Sequence, residues 1–144
     1  MSGAAVFAAV AIALLAGHQA GDYWVQTDRQ AARKGLPGWP GRAACAAHVA
    51  TYTLTLAGCL ALAAWWLALP LSAAWVAAGL AVSAVTHYVA DRRWPLRRLA
   101  GLIPGKAGFW ASGTGLASGA AYLDQAWHWF WLFISALVVT RGAR

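Results

Sequence analysis

The sequence predicts an all-α integral membrane bundle of about four transmembrane helices, forming one domain over 1–144, with a short interfacial helix between the third and fourth spans. Three observations predict it. The chain is 61% hydrophobic and only 10% charged, whereas soluble domains carry about 25% charged residues. Its apolar residues come in continuous runs of roughly twenty, the length that crosses a bilayer as a helix, without the alternation of a spanning β-barrel. Nine of its eleven Lys and Arg residues fall in two of the segments between those runs.

The first span is expected at about 4–26. No positive residue precedes it, and His18, Gln19 and Asp22 stand where a small-residue cleavage site would lie, so it reads as a retained helix and not a secretory signal. A basic segment with Arg29, Arg33, Lys34 and Arg42 follows, interrupted by the breaker run Leu36-Pro37-Gly38-Trp39-Pro40-Gly41. The second span is expected at about 43–68. On it Cys45 and Cys59 are about 21 Å apart at ~1.5 Å per residue, beyond disulfide reach. Pro70 marks a tight turn into the third span, about 71–91. The next segment holds Arg92, Arg93, Arg97, Arg98 and Lys106. Within it, 94–103 sets Leu96, Leu99 and Leu102 or Ile103 on one face and Arg97 with Arg98 on another, the pattern of a helix lying in the headgroup layer. The Gly-rich stretch 105–119 reads as a flexible re-entry loop, and its Gly105-Lys106 lacks the rest of a phosphate-binding P-loop. The fourth span is expected at about 120–140.

Alternation of four spans puts both basic segments on one side, which the positive-inside rule makes cytoplasmic, with both termini outside. Arg141 and Arg144 are then the only outward basic residues. The ten tryptophans suit interfacial anchoring, so Trp75, Trp94, Trp110 and Trp131 need no ligand to explain them. The net charge of +7 follows from this topology and does not argue for a nucleic-acid partner. The expected partners are anionic lipid headgroups near the basic segments and, through Ala/Gly-rich helix faces, further copies of the chain. High Ala, Gly, Arg and Trp usage suits a GC-rich bacterial genome.

The chemistry lies in the spacing of a few polar residues. Three of the four histidines stand four residues from an aspartate: His18 with Asp22, His87 with Asp91, and His128 with Asp124. That spacing shares one helical face, and random placement yields three such pairs with a probability on the order of 10⁻³. The topology, drawn from hydropathy and basic residues alone, brings all three pairs and His48 to the cytoplasmic end of the bundle. Tyr52 and Cys45 share the His48 face. Imidazoles and carboxylates converging from four helices suit Zn²⁺, with Mn or Fe as alternatives, and a cation compensates the burial of three aspartates. Seven candidate ligands, His18, Asp22, His48, His87, Asp91, Asp124 and His128, exceed the three or four of one catalytic zinc, leaving room for two ions or for groups that orient the histidines. Asp28, beside Arg29, reads as a surface or capping residue. Gln19 and Gln26 share a face with Tyr23 and either bind substrate or tie helices together; Gln125 suits a helix-to-helix hydrogen bond.

The string His18-Gln19-Ala20-Gly21-Asp22-Tyr23-Trp24-Val25-Gln26-Thr27-Asp28, followed by Lys34, His48, His87-x-x-x-Asp91 and Leu123-Asp124-Gln125-x-x-His128, resembles an uncharacterised family of small bacterial four-helix inner-membrane proteins, marked by H-x-x-x-D-(F/Y)-x-x-Q-T and D-Q-x-x-H motifs. The similarity runs over most of the chain, with Tyr23 where Phe is common. That family resembles membrane proteins described as metal-dependent hydrolases, themselves likened to zinc-dependent phospholipase C and nuclease enzymes. The resemblance implies a metal-assisted phosphoester hydrolase and carries over onto His18, Asp22, Gln26, His48, His87, Asp91, Asp124 and His128.

The expected function is therefore a membrane-embedded metal-dependent hydrolase of a phosphoester or lipid-linked phosphate. Asp124 is expected as a ligand or the general base, Arg92 or Arg93 as the cation facing the phosphate, and Gln26, Tyr52 and Gln125 as substrate-binding or supporting groups. Two non-enzymatic readings compete with it. One is a divalent-metal or proton translocator, against which the outer half offers only Thr53, Thr55, Ser72, Ser83 and Ser135. The other is a structural-metal subunit that oligomerises or binds a partner in mobile-element transfer.

Overall fold

The computed structural model describes residues 2–143, and among them every regular element is helical. Helix α1 (Gly3–Ala20) runs on into a π turn over Gly21–Val25 and is followed by the short α2 (Asp28–Arg33). Two long helices, α3 (Gly38–Trp66) and α4 (Ala73–Asp91), precede α5 (Trp94–Leu102), α6 (Lys106–Trp110), a 3₁₀ turn over Gly115–Ala117, and α7 (Gly119–Thr140). Three segments, Gly3–Val25, Gly38–Trp66 and Ala73–Asp91, are long and apolar enough to cross a membrane. The fourth expected span, α7, has the length at 22 residues but not the hydropathy. Its first half holds Asp124, Gln125, His128, Trp127 and Trp129, which lower hydropathy even where they pack inside a bundle.

Local signals explain where these helices begin. Ser2 accepts from the Ala5 amide at 3.3 Å to cap α1, and Ser118 accepts from Ala121 at 3.2 Å to cap α7, each satisfying an amide that the first turn leaves free. Thr27 and Gln30 form a reciprocal capping box on α2. This short helix was not expected from the sequence. Asp28 occupies its first turn and is exposed, a surface position. The short helix expected at 94–103 appears as α5, with Pro95 in its first turn. The stretch 105–119, expected as an irregular loop, is instead folded into α6 and the 3₁₀ turn.

The long helices pack closely because small residues sit where they cross. A Cβ at Gly79 of α4 would come within 2.9 Å of the Ser135 carbonyl of α7, and one at Gly17 of α1 within 3.1 Å of the Leu56 Cα of α3. The core is divided along the bundle. Val6, Val10 and Leu14 of α1, Leu56 and Leu60 of α3, and Leu132, Ala136 and Val139 of α7 fill one half with apolar side chains. The other half holds all four histidines, each buried, at the end from which the basic segments project.

Candidate metal centre

Four helices each deliver an imidazole to that polar half: His18 from the end of α1, His48 from the start of α3, His87 from the end of α4 and His128 from the start of α7. His48 Nε2 and His87 Nε2 face each other at 3.0 Å. Asp22 Oδ1 lies 3.2 Å from His48 Nε2 and 3.4 Å from His87 Nε2, and Asp91 Oδ2 lies 3.2 Å from both. These are five of the six edges of a four-atom cluster. Neighbouring donors in a tetrahedral shell with bonds of about 2.0–2.1 Å are about 3.3–3.4 Å apart, so each of these five spacings suits a zinc-sized ion, and the trio whose donor atoms all lie within 4.8 Å of one another is Asp22, His48 and His87.

The unsatisfied atoms agree with a cation. Asp22 Oδ1 and Asp91 Oδ2 are buried and accept no hydrogen bond among the described residues despite their short distances to imidazole nitrogens. A buried carboxylate oxygen left in this way is costly, and a metal ion would satisfy it. Donor atoms within 4.8 Å of one another form three overlapping groups that could hold a metal ion: Asp22, His48 and His87; His18, His87 and His128; and Asp91, Asp124 and His128.

Around these ligands the structure supplies orienting contacts. Gln125 Oε1 accepts from His18 Nε2 at 3.3 Å, a contact between α1 and α7 of the kind expected for Gln125. The Gln26 side-chain amide donates to His48 Nε2 at 2.8 Å, on the lone pair that an ion there would use, so Gln26 would have to turn aside for His48 to ligate through Nε2. The Tyr52 ring lies on His87 with centroids 3.7 Å apart, and its hydroxyl is 3.5 Å from Ser83 Oγ. The Cys45 thiol turns instead to the Tyr88 carbonyl at 3.8 Å.

The π turn corrects one expectation. Its wider ladder, with the Gln26 amide donating to the Gly21 carbonyl at 3.0 Å, adds a residue to the turn and rotates the chain beyond it, as such bulges do at many functional sites. Gln26 consequently points inward to His48, while Tyr23 is exposed. The regular helix expected through residue 26 is broken here, while Tyr23 and Gln26 both line the cavity above the histidines.

Arg92 and Arg93 divide the role expected of either. Arg92 is buried, and its guanidinium donates to the Lys34 and Leu36 carbonyls, both at 2.6 Å. It therefore straps the segment after α2 onto the end of α4 and has no face toward a substrate. Arg93, held at a positive φ of 60° at the start of α5, lines a cavity of about 610 Å³ above the histidines. Asp22, Gln26, Asp91, Asp124 and Lys34 line it as well. Trp110, Leu116 and Tyr122 give it apolar walls, two of them from the folded 105–119 stretch.

Lys34 was not singled out by the sequence as a site residue. Its Nζ stands 2.8 Å from Asp91 Oδ1, so the two oxygens of Asp91 serve a lysine on one side and the imidazoles on the other. The only signals were its place after the Gln26-Thr27 motif and the scarcity of acidic partners. Asp124 is the most open of the three carboxylates, 33% exposed against 11% for Asp22 and 3% for Asp91, and its Oδ2 is 3.5 Å from His128 Nε2. Compared with protein-family models, curated proteins and solved structures, the chain matches none.

Proposed function

We propose that this chain is a metal-dependent hydrolase of a phosphoester or lipid-linked phosphate, embedded in the bacterial inner membrane as four spans with its site at the cytoplasmic face. The observation that carries this reading is a set of four nitrogen and oxygen donors, five of whose six separations are 3.0–3.4 Å, beneath a cavity whose rim holds Lys34 and Arg93. The mixed imidazole and carboxylate donors favour zinc, with Mn or Fe as alternatives. A divalent ion there would supply Lewis acidity toward a phosphoryl oxygen and lower the pKa of water at the site.

The protein's own residues do the rest. Lys34 and Arg93 attract and orient an anionic group in the cavity. Asp124, at the edge of the cavity and partly exposed, accepts the proton of the attacking water. Trp110, Leu116 and Tyr122 accommodate an apolar substituent. The translocator reading has less support, because the other half of the bundle is filled by Val6, Val10, Leu14, Leu56, Leu60 and Val139, among which the buried Ser135 is a hydroxyl and not an ionisable group.

The test uses the full chain purified in detergent. Elemental analysis is expected to find bound divalent metal that His48→Ala loses. Phosphate release from a phosphatidic acid or prenyl phosphate is expected to fall by about 10²-fold or more in Asp124→Asn while metal is retained. Absence of metal from protein prepared in metal-replete buffer ends the reading.

A further inference from the structure

We infer that the polar half of the bundle holds a second metal ion beside the one at His48 and His87, with Asp22 bridging the two; this rests on the metal-centre reading above. Asp22 presents its oxygens to different partners. Oδ1 faces His48 and His87, while Oδ2 faces His18 Nδ1 at 3.4 Å. A carboxylate whose oxygens point at two separate sets of imidazoles has the disposition of a bridge between two cations.

The second position has an independent argument from hydrogen bonding. The Gln125 side-chain oxygen can only accept, so the His18 Nε2 that approaches it at 3.3 Å carries the proton. The neutral ring then leaves Nδ1 as a bare lone pair, and this is the atom that faces Asp22 Oδ2. Two lone pairs facing each other in a buried site repel unless a cation lies between them. His18 Nδ1 is buried with no hydrogen-bond partner among the described residues, and His128 Nε2 is in the same condition. The two rings are neighbours, with centroids 5.1 Å apart. Ligating metal through one ring nitrogen while the other donates to an oxygen is the usual way a protein orients a metal-binding histidine.

The second ion would thus take His18 Nδ1 and His128 Nε2, from two residues whose donor atoms lie within 4.8 Å of each other, with Asp22 Oδ2, which faces His18 Nδ1, as the third ligand. Three protein ligands leave a position open, as catalytic sites do. Asp124, 3.5 Å from His128 Nε2, stands beside that opening on the cavity side. A pair of ions, about 3.5–4 Å apart in known two-metal sites, suits phosphoester cleavage because it stabilises both the attacking and the leaving oxygen.

The experiment loads the full-length chain in detergent with Zn²⁺ alone, removes unbound metal and counts ions per chain. A parallel sample is loaded with Mn²⁺ for electron paramagnetic resonance. The expected result is two ions in the wild type, one in His128→Gln, and a spin-coupled Mn²⁺ spectrum in the wild type that becomes that of isolated ions in the variant. One ion in the wild type with an uncoupled spectrum overturns this inference and leaves the single-ion reading standing, whereas no ion overturns both. Should His128→Gln fail to fold, as its circular dichroism would reveal, the wild-type count and spectrum decide alone.

Discussion

Replacing Arg92 by Gln should release the segment that carries Lys34 over the metal centre while leaving the bundle intact. The guanidinium makes two short hydrogen bonds, to the Lys34 and Leu36 carbonyls, from a position only 8% exposed. Hydrogen bonds to charged groups contribute about 1.5–3 kcal/mol each. Leu36 is 47% exposed, so its carbonyl regains water when the arginine is removed and the loss at that end is smaller. A combined cost of about 2–4 kcal/mol is therefore expected, which corresponds to a population of the opened segment about thirty- to a thousandfold larger. Hydrogen exchange read by mass spectrometry in detergent resolves this. The amides of Ala31, Lys34 and Leu36, which donate to Thr27, Gln30 and Arg33, should exchange faster by that factor. Those of the α1 and α3 spans around Leu14 and Leu56 should be unchanged. If exchange over 27–37 rises less than about threefold, well below one kcal/mol, the arginine is not what holds the segment down.

Other substitutions test other parts of the site. Asp124→Asn should lower phosphate release by about 10²-fold or more, the range for loss of a general base, with the metal count by elemental analysis unaltered. Lys34→Met should raise KM for an anionic substrate more than it lowers kcat, because the lysine meets the anion before and during reaction alike. Gly79→Ala brings a methyl against the Ser135 carbonyl and should destabilise the bundle by about 1–3 kcal/mol, visible as a lower Tm followed by tryptophan fluorescence. Chelation should also lower Tm, since an ion present at about a hundred times its Kd stabilises the folded state by about 2.7 kcal/mol.

The pairing of His18 with Asp22, His87 with Asp91 and Asp124 with His128 was legible because helical periodicity alone sets residues four apart on one face. Their assembly with His48 followed from alternating the spans and needed no knowledge of packing. What could not be read depends on contacts between segments distant in the chain. Lys34 reaches Asp91 because Arg92, 58 positions away in sequence, holds the Lys34 carbonyl. The π turn occurs where Gly21 meets Tyr52, whose ring would come within 2.8 Å of any Cβ there, and no propensity of Gly21–Val25 announces it. The folding of 105–119 into α6 and a 3₁₀ turn was hidden by its glycines, which weigh against helix in any count of propensity. For α7, length and position in the bundle match the expected helix, but its tryptophans and Asp124, Gln125 and His128 leave it outside the apolar spans, since the side chains that build a site are those that lower hydropathy.

Charge balance connects the candidate metal centre to the kind of substrate its cavity would suit. Asp22, Asp91 and Asp124 bring three negative charges to the cluster, and among the described residues the one lysine or arginine paired with them is Lys34. With neutral imidazoles the group carries a net charge of about −2, a severe cost so near the hydrocarbon. One divalent ion neutralises it. Two ions leave a surplus of about two positive charges beneath a cavity that also holds Arg93, which matches a phosphate monoester dianion and not a neutral ester or amide. The prediction is specific: inorganic phosphate should inhibit competitively and bind only the metal-loaded protein, whereas an uncharged acyl ester should be neither cleaved nor bound. Equal binding of phosphate with and without metal would show that Lys34 and Arg93 alone select the anion, and the surplus charge of the ions would then have no part in recognition.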